Sequence, residues 1–112
     1  MSEKYQVEVT PQAEEQIFQI AWYIIEEFQA PETAAKVLDR LEKELNRLEY
    51  LPERILLLDE EPWHSRGIHK YVIGNYIAYF VISEPDRIVR VTSVVMEKMN
   101  QKKQLKKMEI PE

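Results

Sequence analysis

Residues 67–96 read GIHKYVIGNYIAYFVISEPDRIVRVTSVVM and decide the fold. Three apolar runs lie in this stretch, and two turn signals separate them. Gly74–Asn75 is a compact two-residue hairpin signal, and the second turn signal contains Pro85. Because so short a loop joins only antiparallel strands, the stretch predicts a three-stranded antiparallel meander. The predicted strands are 67–73, 76–83 and 88–96.

The strand patterns predict how the sheet is covered. The run 76–83 is apolar at both odd and even positions, as expected of an interior strand. In the last strand, Val89, Val91 and Val95 share one face, whereas Arg90 and Thr92 share the other. This alternation predicts a sheet with helices on one face and a more polar opposite face.

The N-terminal part predicts one strand and one helix. Residues 5–10 alternate like a short strand, and Thr10 before Pro11 is a helix N-cap followed by proline at the first helical position. Apolar residues then recur at helical spacing up to Phe28. A second apolar stripe lies beside them and comprises Phe18, Trp22 and Ile25. A helix this broadly apolar requires cover on more than one side.

A second helix follows the turn at 29–31. Its apolar seam alternates steps of four and three and comprises Ala34, Leu38, Leu41, Leu45 and Leu48. Two helices joined by so short a link predict an antiparallel hairpin with this seam buried. The predicted fold class is α+β in one domain, 1–112. An N-terminal strand and the helical hairpin precede the meander, which completes one sheet, and a basic tail or short helix spans 97–112.

Composition narrows the functional classes. The 112 residues include no cysteine, which excludes disulfides and thiolate metal sites. No apolar run is long enough for a signal peptide or a membrane span, so we expect a cytoplasmic protein without membrane contact. Residues 1–61 hold 15 acidic and 6 basic residues, whereas 62–112 hold 5 and 9. This asymmetry fits a nucleic-acid-facing surface or simply a solvated basic tail.

Candidate chemistry concentrates around the meander. Its cations could neutralise phosphates, and its tyrosines could stack on bases or donate hydrogen bonds. The alternative is that the tyrosines are half-buried sheet residues and the cations solvate an exposed face. The candidates are Arg66, Lys70, Tyr76, Tyr79, Arg90, Lys98, Lys102 and Lys103. The acidic run 59–61 is interpreted as a solvated loop, so we expect neither a metal nor a cofactor.

The ordered elements resemble the RelE/ParE superfamily of type II toxins along almost the whole chain. The matching segments are YQVEVTPQAEEQI, LEYLPER, GIHKYVIGNYIAYFVI and VRVTSVVMEKMNQ. The resemblance implies growth arrest by one of two routes, ribosome-dependent cleavage of mRNA or inhibition of DNA gyrase. Only the first route would make the chain an enzyme. The resemblance also implies a cognate antitoxin that binds the toxin. The expected assembly is a toxin–antitoxin hetero-oligomer or a homodimer of the toxin.

Residue by residue, the resemblance makes Lys70 and Lys98 the catalytic candidates. Related sequences carry a basic residue at the position of Lys70. Many relatives end the last strand with an aromatic residue or histidine, then glycine and two arginines, where this chain has 96–99, MEKM. Ribonucleases of the superfamily often carry arginine at the position of Tyr76. These departures keep three alternatives open: a ribonuclease, a gyrase inhibitor, and a non-toxic relic that only binds an antitoxin or nucleic acid.

Overall fold

The computed structural model describes residues 4–50, 52 and 61–97. The predicted basic tail, including Lys98, Met99, Lys102 and Lys103, lies outside the described residues. The elements, in chain order, are β1 (Gln6–Val9), α1 (Pro11–Phe28), α2 (Pro31–Asn46), a 3-10 turn (Arg47–Glu49), β2 (His69–Ile73), β3 (Tyr76–Ser83) and β4 (Ile88–Met96). Within these ranges, no helix is long and apolar enough to cross a bilayer.

The sheet confirms the predicted α+β fold. Its strand order is β1-β4-β3-β2. Strands β2, β3 and β4 form the antiparallel meander, and β1 joins β4 in parallel, with Val9 opposite Val91. The hairpin between β2 and β3 depends on Gly74, whose φ of 60° favours glycine. A Cβ at this position would also lie 2.8 Å from the Arg40 guanidinium, the end of an exposed side chain, which would have to shift.

Helix α1 begins and ends, and helix α2 begins, as the sequence signals predict, whereas α2 ends at Asn46 and continues as the 3-10 turn. The Thr10 hydroxyl accepts a hydrogen bond of 3.2 Å from the Ala13 amide at the start of α1. Gln29 ends α1 in the left-handed region, with φ 49°, and Pro31 begins α2. The left-handed residue and the proline together produce the tight link that folds the two helices into a hairpin.

The α2 seam is buried largely as predicted. Ala34, Leu41, Leu45 and Leu48 are buried, whereas Leu38 is half-buried. They belong to a core that α1, α2 and one face of the sheet share, and Phe80, Val89, Val91 and Val94 contribute to it from the strands. We call this side of the sheet the helical face.

A β-bulge in β4 corrects the predicted face assignment. Tyr79 pairs with Ser93 and Phe80 with Val91, so Thr92 is an extra residue on β4. The extra residue reverses the alternation beyond it. Val94 therefore joins the core on the helical face, and Val95 lies with the residues of the opposite face. Thr92 itself is fully buried, and its hydroxyl donates a hydrogen bond of 3.3 Å to the Tyr79 carbonyl.

The prediction of a polar opposite face is wrong for the centre of the sheet. A second buried cluster lies there, comprising Trp63, Ile68, Ile77, Tyr79, Val81 and Val95. Trp63 comes from the turn before β2 and is only 8% exposed. The sequence pattern missed this cover because Trp63 lies in a polar connection with no strand or helix periodicity.

One polar contact ties α2 to the sheet. The Tyr71 hydroxyl of β2 donates a hydrogen bond of 2.6 Å to the Glu44 carboxylate of α2. Burial raises the pKa of Tyr71 to about 12, and the hydrogen bond to Glu44 acts in the same direction. The same hydrogen bond lowers the pKa of Glu44. The contact holds the C-terminal half of α2 at the β2 edge.

Leu41→Ala should lower the free energy of unfolding by about 2–5 kcal/mol, because it deletes a large side chain that is 1% exposed. Urea denaturation followed by circular dichroism measures the loss. Leu38→Ala is the matched control, since the same atoms are removed from a half-buried position and the loss should be smaller. Equal losses in the two variants would contradict the burial of the seam.

The Tyr71–Glu44 contact predicts a loss of stability in alkaline solution. The tyrosine proton is held more tightly in the folded chain than in the unfolded chain, where the pKa is about 10. This contribution to stability is therefore present below about pH 10 and lost as pH rises through about 12. Denaturation midpoints across this range should fall less in Tyr71→Phe than in the native chain. Removal of the exposed Tyr23 hydroxyl by Tyr23→Phe should leave the native pH profile unchanged.

Candidate functional site

Three of the candidate cations lie on or beside the sheet face away from the helices. Neighbouring residues of a strand point to opposite faces of the sheet. Tyr71 packs on the helical face, so the adjacent Lys70 lies on the opposite face, where it is half-buried. Arg66 is exposed in the turn that carries Trp63. Arg90 reaches towards β1, where its Nε lies 3.3 Å from the Glu8 carboxylate. We call Arg66, Lys70 and Arg90 the cationic set.

The two candidate tyrosines do not converge with these cations. Tyr79 pairs with Lys70 across the strands, but it is 0% exposed and belongs to the second buried cluster. Tyr76 packs against the core on the helical face, where burial raises its pKa. Neither ring offers a stacking surface beside Lys70. His69 also belongs to the helical face and stacks on Phe80, with ring centroids 4.8 Å apart.

An open apolar groove lies on the other side of the molecule, where β1, α1 and α2 meet. Its volume is about 450 Å³. Val9, Ile17, Leu41 and Leu45 line it with apolar atoms, Phe18 stands at its side, and Glu14 and Glu42 also line it. An adjoining hollow of about 310 Å³ shares Val9, Glu14 and Phe18 and adds Pro11 and Glu15. We call the two hollows together the apolar groove.

The outer edge of β1 runs beside this groove. The Gln6 amide donates to Arg87 and the Thr10 amide to Val91, so the even-numbered residues of β1 bond to β4. The backbone groups of Val7 and Val9 therefore point away from the sheet. The beginning of this edge is already paired, since the Tyr5 amide donates a hydrogen bond of 2.8 Å to the Glu49 carbonyl of the 3-10 turn. The part of the edge at Val7 and Val9 can pair with a strand from another chain. The sequence predicted β1 but not its edge position, which depends on its parallel pairing with a strand almost eighty residues later.

Exposed aromatic residues continue the apolar surface along α1. Phe18 is 54% exposed and Trp22, one turn later, is 60% exposed. Ile25, the third member of the predicted stripe, is half-buried against the core. Tyr23 and Phe28 are also exposed and lie in an edge-to-face contact. Apolar side chains this large at the surface are typical of protein–protein contact sites.

Comparison with known proteins shows a matching protein family and solved structures with a similar fold. Residues 7–101 match the family model described as "ParE toxin of type II toxin-antitoxin system, parDE". A structure of a chromosomal ParDE toxin–antitoxin system from P. aeruginosa is similar in fold. Its TM-score is 0.69 at 14% identity, over 83% of this chain and 96% of that chain.

A second structure, the toxin–antitoxin complex RelBE2 from Mycobacterium tuberculosis, has a TM-score of 0.59. The two chains are 20% identical, and the likeness covers 84% of this chain and 92% of that chain. No curated protein sequence matches the chain significantly.

The two tryptophans should report the two surfaces separately. Trp63→Phe leaves Trp22 as the single tryptophan, and its fluorescence should be red-shifted and strongly quenched by acrylamide. Trp22→Phe leaves the buried Trp63, whose emission should be blue-shifted and protected. Similar quenching constants in the two variants would show that the Trp63 turn does not cover the sheet in solution.

Proposed function

The chain belongs to the ParE toxin family of type II toxin–antitoxin systems, and we propose that it arrests growth by binding and inhibiting DNA gyrase. In this proposal it acts in the cytoplasm as a single domain and without a cofactor. An antitoxin that binds the toxin directly neutralises it. The chain acts as a binding protein towards its target and cleaves no RNA.

The placement of the two candidate tyrosines carries this choice of target. A ribonuclease that works on mRNA needs groups that hold bases and transfer protons beside its cations. Here Tyr79 is sealed in the second buried cluster, and Tyr76 faces the helices. The cationic set is distributed along the opposite side of the sheet, and its positive charge suits the acidic surface of a protein or a nucleic-acid backbone without implying cleavage.

Within the cationic set, Lys70 is the best candidate for contact with the target. It lies on the edge strand β2, and Arg66 lies in the turn that leads into this strand. Arg90 is at least partly neutralised by Glu8. Lys98, Lys102 and Lys103 extend the proposal beyond the described residues, because they add positive charge directly after β4.

The apolar groove and the β1 edge support an antitoxin as the partner. They combine a cavity for apolar side chains with backbone groups that can bond to an added strand. Phe18 and Trp22 enlarge the apolar area beside them. The similar structures from P. aeruginosa and M. tuberculosis are described as toxin–antitoxin systems, in agreement with such a partner.

Lys70→Ala should weaken inhibition of gyrase, because it removes the positive charge of a half-buried lysine on the edge strand β2. A thermal melt of the variant checks that it still folds. We expect the native chain to reduce negative supercoiling by purified gyrase, and Lys70→Ala to require at least about tenfold more protein. The matched control is Lys36→Ala, which removes an exposed cation from α2 and should behave like the native chain.

Induced expression of the native chain in growing cells distinguishes the other toxin mechanisms. Primer extension on a translated message should show no cleavage at codons, and co-expression of the adjacent gene product should restore growth. Codon-positioned cleavage would replace the gyrase proposal with a ribonuclease. Absence of arrest at every expression level would identify a non-toxic relic.

A further inference from the structure

The charges around the apolar groove specify the chemistry of its partner. We propose that the antitoxin segment bound there is basic and amphipathic, with apolar side chains in the groove and lysine or arginine beside them. The inference rests on the proposed antitoxin partner and adds the kind of segment that the toxin selects.

The carboxylates of the groove are the first observation. Glu14 and Glu42 line the main hollow and Glu15 the adjoining one, and among the residues that the structure describes neither lining includes a lysine or an arginine. All three glutamates are exposed. The ion pairs within α2 use Asp39 and Glu44 rather than Glu42. Lysine or arginine residues of a partner, placed at the rim of the groove, would therefore be attracted by these carboxylates.

The helix dipole accounts for only part of this acidity. Glu14 and Glu15 belong to the N-terminal part of α1, where negative charge is favoured. Glu42 lies in the C-terminal third of α2, where the dipole gives a carboxylate no stabilisation. Glu42 on α2 and Glu14 on α1 therefore place negative charge on both sides of the same apolar cavity. This arrangement of carboxylates depends on how the two helices pack together and not on either helix alone.

The aromatic residues beside the groove favour the same partner. Phe18 stands at the groove, and Trp22 lies one turn further along α1 with most of its surface exposed. An indole face attracts a cation, and the attraction is stronger for tryptophan than for phenylalanine. A guanidinium or ammonium group of the partner thus meets both carboxylates and an aromatic face on this side of the molecule.

The β1 edge explains how such a segment would be aligned. The side chains of Val7 and Val9 pack on the helical face, while their backbone groups point outward. In a strand added beside β1, every second side chain would face the same side as these valines, towards the groove. The intervening residues would point away from it. A segment with apolar residues at alternate positions and cations near its ends matches both requirements.

Two synthetic peptides of equal length test the charge preference directly. Both alternate leucine with serine, and the residues near the two ends are lysine in one peptide and glutamate in the other. The full-length toxin should bind the lysine peptide at least tenfold more tightly than the glutamate peptide, and the difference should shrink as ionic strength rises. Equal binding of the two peptides would overturn the inference.

Charge reversal locates the preference at the groove. Glu15→Lys/Glu42→Lys should reduce binding of the lysine peptide at least tenfold. Glu26→Lys/Glu27→Lys changes the net charge equally at exposed positions outside the groove lining and should bind like the native chain. Thermal melts confirm that both variants fold. Equal loss in the two variants would mean that net charge, rather than the groove, selects the peptide.

The adjacent gene product separates this inference from the proposed function. If the native toxin binds that protein and only the groove variant loses affinity, the inference holds for the natural partner. Lysine-to-glutamate changes in the bound segment should then restore binding to the groove variant. Tight binding that is insensitive to Glu15 and Glu42 would overturn the inference alone. Failure of the native toxin to bind would overturn the antitoxin proposal, while the peptide result would still report on the groove.

Discussion

Both faces of the central sheet must be covered, because β3 and β4 carry apolar side chains on each of them. The helical hairpin covers one face, and the turn that carries Trp63 covers the other. The bulge at Thr92 contributes to this double burial, because it turns Val94 to the helical face and Val95 to the opposite face. The central sheet surface is thereby taken up by packing, so the surfaces that the proposed partners would use lie at its edges and on the helices.

The elements followed from local sequence signals, which is why they could be predicted closely. Proline, a capping threonine and the Gly74–Asn75 pair determine helix ends and turns within a few residues along the chain. The ends of β3 and β4 were therefore predicted to the residue. The α2 seam was also readable, because a helix with one apolar stripe has only one face that it can bury.

The candidate site depended on contacts between distant residues and was predicted less completely. The valines of β4 alternate in a way that is compatible with an unbroken strand, so nothing local marked Thr92 as an extra residue. The burial of Tyr79 under Trp63 likewise depends on where the turn before β2 crosses the sheet. The exposed stripe of Phe18 and Trp22 was recognised from its spacing, but the groove beside it required three elements to be placed together.

The fold persists in proteins that share few residues with this one. At 14% identity the TM-score to the P. aeruginosa structure is still 0.69. Burial patterns and turns constrain the backbone, and many apolar residues satisfy the same pattern. The groove charges and the cationic set lie outside that constraint, because the burial pattern does not depend on them.

The pairing of β1 with β4 also bears on the order of events during synthesis. Val9 and Val91 pair although 82 positions separate them, and Tyr5 is hydrogen-bonded to Glu84. The ribosome releases β1 before β4, so the first strand has no place in the sheet until β4 has emerged. The groove wall that Val9 supplies is completed only then. A message cut short before β4 therefore yields a polypeptide without the strand that joins β1 to β3, and β1 cannot take its place beside the groove.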